Sequence, residues 1–349
     1  MERDYTLDLG RCLAALFVVY VHFDVCFLPL YQSMPFADWM TANVMNSIGR
    51  VCVPLFVMMS GALILQKRSI EWGPFIRKRT AATLKPYLFG ALLYLVWQYN
   101  STALVSQPIF ASYVAMRPQT VFGYVSQFLL GGAYLQLYFL FILFGLYLIS
   151  PLLLNIHALP KEALIGITAI LFAIDIVDRH LGPLGLTLGY MTLGNCFSYL
   201  PYFLAGYVLY KVARPPEVYA VPMFVASTAV TACLIWFTTK YATTPYDTGN
   251  FVQYTSANVV VQSLFAFCAL LQVRIASPKI REIVARLSAL TLGVYIIHIV
   301  VLIEMTAVIS WFAAVPTLIQ ILLFPPLCFA ISCVLVIGLR KIPMMRGFV

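Results

Sequence analysis

Ten stretches of this chain are apolar over lengths close to the roughly 20 residues a helix needs to cross a bilayer. They lie near 9–31, 44–65, 81–97, 134–154, 163–177, 191–210, 218–238, 256–273, 289–312 and 315–338. A chain of 349 residues with 62% hydrophobic and only 10% charged residues cannot hide so many runs in a soluble core. The sequence predicts an all-α polytopic membrane protein, a bundle of about ten transmembrane helices in a single domain over 1–349. The run at 163–177 is short. Thr120–Leu130 is apolar but too brief to cross, which predicts an interfacial or re-entrant helix.

Charge placement sets the orientation, because cytoplasmic loops collect Lys and Arg. With the N-terminus inside, 18 of the 22 basic residues fall in cytoplasmic segments, leaving Arg50, Arg117, Arg179 and Lys240 outside. Both termini are therefore expected in the cytoplasm. The net charge of +9 does not point to nucleic acid, since the basic residues cluster in short loops between spans. The first run is too long for a signal peptide and lacks an A-x-A site. Eight cysteines, all within expected spans and with no C-x-x-C pair, read as small apolar residues, neither disulfides nor metal ligands. A Gly-rich phosphate loop, zinc spacing, a G-x-S-x-G elbow and internal repeats are all missing from the sequence.

The first run carries the chemistry. Asp8 and Arg11 stand at its start, and His22 and Asp24 deep inside. Ionisable groups at membrane depth are costly unless they face protein or water, so they point to function. Arg11 and His22 are eleven residues apart, which at about 100° per residue is three turns plus about 20°. They share one face, about 16 Å apart along the axis, with Arg11 at the surface and His22 near mid-bilayer. Arg11 also suits a plain snorkelling, orientation-setting role, and His22 a hydrogen-bonded structural one.

The stretch LDLGRCLAALFVVYVH resembles the first-helix signature of the membrane-bound acyltransferase family 3, roughly D-x-x-R-x-x-A-x(3)-V-V-x-x-H. Three further stretches agree in the same order. RVCVPLFVMMSG in the second run is similar to the family's R-V-x-V-P-L-F-F-x-x-S-G, and Pro54 within it can kink the helix. GNCFSYLPYFLAGYVLY resembles its Y-F-L-x-G-Y stretch, and LGVYIIH in the ninth run its L-G-I-Y-x-x-H, placing Tyr295 and His298. Ser60 and Gly61 also suit close helix packing. Two departures stand out. The family's R-x-x-R-x-x-P before the third run appears here with Arg79 and Lys85 at shifted spacing around Pro86. Its H-L-W-F is replaced by Gln136-Leu137-Tyr138-Phe139, which is consistent with a different acceptor.

The resemblance implies an enzyme of the bacterial cytoplasmic (inner) membrane that O-acylates a polysaccharide or lipid-linked glycan. The donor would be acetyl-CoA or another acyl-CoA from the cytoplasm, with no metal. His22 would be the general base, which suits a sugar hydroxyl, a poor nucleophile. Arg11 would join it and hold the donor, together with Arg77, Arg79 and Lys85 of the basic segment 66–87, where cations suit phosphate oxygens. That segment equally serves as a topology signal or a contact for anionic membrane lipids. Asp8, Arg50, Ser60, Gln136, Tyr138, Tyr295 and His298 would hold substrate or support the site. Direct transfer is expected, since no activated Ser or Cys is evident. The outer segment 241–254, with Tyr241, Tyr246, Phe251 and Tyr254, could stack on a sugar or form an interfacial aromatic belt. An i,i+4 Asp175–Arg179 pair is expected in the fifth run. Glu304 falls about 240° from His298 round the ninth helix. A transporter or flippase for a lipid-linked sugar or small anion, and a catalytically silent helper in glycan assembly, are the competing readings.

Overall fold

A computed structural model describes residues 3–102, 110, 120, 122, 123, 125, 128, 134, 136–181, 196–241, 250–308 and 315–348. Among them the chain forms ten helices and no strand. They are α1 Tyr5–Asp24, α2 Phe36–Ile64, α3 Trp72–Asn100, α4 Tyr138–Ile149, α5 Lys161–Leu181, α6 Leu200–Tyr207, α7 Glu217–Tyr241, α8 Ala257–Leu270, α9 Pro278–Val308 and α10 Thr317–Lys341. Six of these are long and apolar enough to cross a membrane: α1, α2, α4, α7, α9 and α10. The outward faces of α7 and α10 carry exposed apolar side chains such as Val225, Phe237, Leu323 and Val334. That is the pattern of lipid-facing helices, since lipid tails are as apolar as the side chains.

The other four helices lie where further crossings are expected, but differ in length or polarity. α5 carries Asp175, Asp178 and Arg179 in its last turns. α6 is eight residues long and runs on into a π turn over Val208–Val212, and α8 has 14 residues. α3 starts at Trp72, so the basic segment is largely helical, and α9 likewise begins eleven residues before the expected 289. The proposed helix over Thr120–Leu130 lies largely outside the described residues, as does most of 98–132.

α1 is the hub. It packs on both halves of α2, on α9 and on α10. Asp4 starts it, its Oδ1 accepting from the Thr6 and Leu7 amides at 3.0 and 3.1 Å; such a cap contributes about 1 kcal/mol. The chain leaves α1 at Asp24 and turns through Leu28–Leu30, pinned by Trp39 Nε1 donating to the Leu28 carbonyl at 3.0 Å. α2 is broken at Arg50–Val51 into Phe36–Gly49 and Cys52–Ile64. Pro54 explains the place of the break: its ring opposes the carbonyl four residues back, that of Arg50. In the second half, Gly61 lies against the Phe203 backbone and Gly206 of α6 against the Met58 backbone. Neither site has room for a Cβ.

Candidate active site

One face of α1 and one of α9 frame two adjoining cavities. The larger, about 410 Å³, is lined by Arg3, Asp8 and Arg11 at the start of α1. Arg79 of α3, Ser60 of α2 and Tyr147 of α4 line its other walls. The smaller, about 200 Å³, is lined by Val18, Val21, His22 and Val25 further along α1, with Arg50, Cys52, Gln136, Tyr138 and Tyr254 opposite. Tyr295 of α9 lines both. Arg11 and His22 thus sit on one helix face, as their spacing requires, but each faces its own cavity. His22 belongs to the last turn of α1.

In the larger cavity, the buried Asp8 carboxylate accepts from Arg11 Nη1 at 2.7 Å, Arg3 Nε at 2.5 Å and Ser288 Oγ at 2.8 Å. A buried carboxylate needs such partners, and in exchange it fixes Arg11. The hydrogen bond to Asp8 holds the Arg3 guanidinium above its ordinary pKa. Arg79 lies with its guanidinium carbon 5.0 Å from the Tyr147 ring centre and 5.4 Å from that of Phe75, and its buried Nε has no hydrogen-bond partner. Ser60 Oγ donates to the Phe56 carbonyl at 2.9 Å and lies 3.4 Å from the Tyr147 hydroxyl. Arg77 and Lys85 stand apart: both are exposed and neither lines either of these two cavities. On a helix, residues 79 and 85 point about 240° apart, so α3 can aim only one of them inward.

In the smaller cavity, Arg50 is buried, with Nε and Nη2 both donating to Asn46 Oδ1 at 2.9 and 2.7 Å. No carboxylate among the described residues forms an ion pair with it. Gln136 Nε2 donates to the Ile296 carbonyl at 3.3 Å, while its buried Oε1 has no partner. The Tyr295 hydroxyl donates to the Gln136 carbonyl, which tethers the dividing ring. His298 lies behind His22, the ring centres 5.2 Å apart, and does not line the cavity. Its Nδ1 sits 2.7 Å from the Tyr295 carbonyl. A carbonyl only accepts, so Nδ1 carries the proton and the unpartnered Nε2 keeps its lone pair in the neutral ring. Asp24 is buried with neither oxygen hydrogen-bonded and lines neither cavity.

Two expectations about charged pairs resolve differently. Glu304 does face away from His298, accepting from Trp97 Nε1 and Ser101 Oγ at 2.6 Å each. The Asp175–Arg179 pair is not formed: Asp175 turns inward with both oxygens unpartnered, while Arg179 is half-exposed.

A buried imidazole behind a second one that lines a cavity, with paired cations lining the cavity next to it, inside a bundle of apolar helices, is a site for chemistry in an integral-membrane protein. The family comparison says which chemistry. A family model described as an acyltransferase domain, that of the acyltransferase 3 family, matches residues 4–338, and the chain belongs to this family. It is an acyltransferase, and of the readings open from the sequence the enzyme is the one this membership supports. No curated protein and no solved structure matches the chain.

Sequence reasoning did not place Cys52, Tyr147, Ser288 or Arg3 at the site, and left Tyr254 between two roles. Ser288 had a signal: Asp8 needs donors beyond Arg11, and a hydroxyl one turn before a family motif is a natural one. Cys52, whose Sγ lies 3.6 Å from the Tyr254 hydroxyl, carried none, since a small apolar residue in a span looks the same anywhere.

Proposed function

We propose that the protein transfers an acetyl group from cytoplasmic acetyl-CoA to a hydroxyl of a cell-surface or lipid-linked glycan. The observation that carries this reading is the meeting of the two cavities at Tyr295, with cations in one and His22 in the other. The thioester arm lies in the larger cavity, gripped by Arg11 and Arg79, while the exposed Arg77 and Lys85 attract the anionic donor. The sugar occupies the smaller one. Its tyrosine walls suit a sugar face, and the unpartnered Gln136 Oε1 suits a sugar hydroxyl.

His22 takes the proton of the acceptor hydroxyl as its oxygen attacks the thioester carbonyl. The resulting oxyanion forms beside Arg50, the cation of the smaller cavity, where a fixed positive charge is worth most because water is excluded. Collapse of the tetrahedral intermediate breaks the carbon–sulfur bond, and the departing thiolate recovers the proton from His22. His298 supports the His22 ring from behind. The test is transfer of radiolabelled acetyl from acetyl-CoA to glycan extracted from the host membrane, using purified protein in detergent. Label in the glycan is the expected result; absence of both transfer and acetyl-CoA hydrolysis overturns the reading.

A further inference from the structure

A third cavity, about 610 Å³, opens where the start of α1, the end of the π turn after α6 and the segment before α9 meet. Its polar walls include Arg3, Asp4, Tyr210, Arg274 and Arg281. Arg3 also lines the 410 Å³ cavity. The three cavities therefore adjoin in a series, with Arg3 between the first two and Tyr295 between the second and that of His22.

The chemistry of the walls changes along the series. The outermost cavity has three guanidinium groups, of which Arg3 is already paired with Asp8, and one carboxylate, Asp4, so Arg274 and Arg281 together leave the cavity cationic. Asp4 Oδ1 caps α1, and Oδ2 accepts from the Tyr210 hydroxyl at 2.6 Å. Arg281 is fixed by Nε donating to the Ile275 carbonyl at 2.7 Å and by lying 5.5 Å over the Tyr5 ring. Arg274 is exposed and has no hydrogen bond or ion pair among the described residues. A concave site with surplus guanidinium charge takes a ligand with several phosphates, because Arg meets phosphate oxygens with charge-assisted, paired hydrogen bonds.

We infer that this outermost cavity holds the phosphorylated nucleotide end of the acyl donor, with Arg274 and Arg281 as its phosphate-binding residues. The inference rests on the proposed acyl-CoA reaction for the identity of the donor. In that arrangement the nucleotide stays at the surface, the arm passes Arg3 into the middle cavity, and the thioester reaches Tyr295. Arg274 and Arg281 act on binding and leave the reacting atoms to other groups.

The experiment compares the full-length parent with an Arg274→Gln/Arg281→Gln variant, both in detergent free of anionic lipid. One arm measures binding of adenosine 3′,5′-bisphosphate by calorimetry. The other measures KM for acetyl-CoA and for S-acetylpantetheine, which lacks the nucleotide. We expect the nucleotide to bind the parent and about tenfold or more weaker to the variant. KM for acetyl-CoA should rise to match, with kcat and the KM for S-acetylpantetheine unchanged. No nucleotide binding to the parent, equal binding to both proteins, or an equal KM rise for both donors overturns the inference. Equal nucleotide binding, with less anionic phospholipid co-purifying with the variant when both proteins are first extracted from the membrane, also overturns it and assigns the cavity to lipid headgroups. Nucleotide binding that depends on both arginines in a parent that transfers no acetyl group sinks the reaction and keeps the site.

Discussion

Asp8 accepts from donors on two sides, Arg3 and Arg11 along its own strand of chain and Ser288 from α9. That junction makes the cationic end of the site a fixed piece of structure. The imidazole end is built otherwise, with His22 facing the cavity and His298 held behind it by the Tyr295 carbonyl. The two histidines should therefore fail differently when removed. His22→Ala should lose about 10²–10⁴-fold in turnover, the usual contribution of a general base, while acyl-CoA affinity and melting temperature stay near those of the parent. His298→Ala leaves a cavity at a fully buried position, so its melting temperature should fall along with a smaller loss of turnover. Acetyl transfer, calorimetric affinity and thermal unfolding of both variants check this, and near-normal turnover in His22→Ala would overturn the base assignment. At this scale much of the site was legible. Arg11 and His22 betrayed themselves as costly groups on one face of an apolar helix. Arg3, Arg274 and Arg281 did not, because a basic residue near a span end reads first as a topology signal.

Among the elements, α2 and α6 meet most closely. Gly61 and Gly206 let the two backbones touch, and a backbone cannot yield as a side-chain tip can. Gly61→Ala should cost about 1–3 kcal/mol through overpacking, read as a lower melting temperature. Gly166 of α5 has nothing within 4 Å of where a Cβ would stand, so Gly166→Ala should be neutral or stabilise by about 0.5–1 kcal/mol through helix propensity. Equal shifts from both would show that close packing at Gly61 is not what holds this pair. Element boundaries were the least legible level. Treating 66–87 as a loop left Arg77, Arg79 and Lys85 equivalent, whereas the helix from Trp72 puts Arg79 on the wall of the larger cavity and leaves Arg77 and Lys85 exposed. The Asp175–Arg179 pair misled for the opposite reason: helical spacing brings two side chains within reach but does not make them turn to each other.

The whole molecule carries a polarity that its contacts support. Arg3, Tyr210, Arg274 and Arg281 gather at one end of the bundle, and Tyr31, Phe36 and Trp236 at the other. Six of the described helices are long and apolar enough to cross, and ten crossings with both termini in the cytoplasm are what the apolar runs and basic segments of the sequence predict. Reporter fusions in 66–71 should stay cytoplasmic and those in 243–250 should reach the outside; a cytoplasmic 243–250 would overturn this topology. One ring separates the cavity reached from the basic end from the cavity of His22, and it is tethered by a single hydroxyl to the Gln136 carbonyl. A protein arranged this way must also act as electrical insulation. Vesicles carrying Tyr295→Ala should dissipate an imposed pH gradient faster than vesicles carrying the parent, as a pH-sensitive dye would report, and equal rates would mean that the membrane's seal lies elsewhere in the bundle.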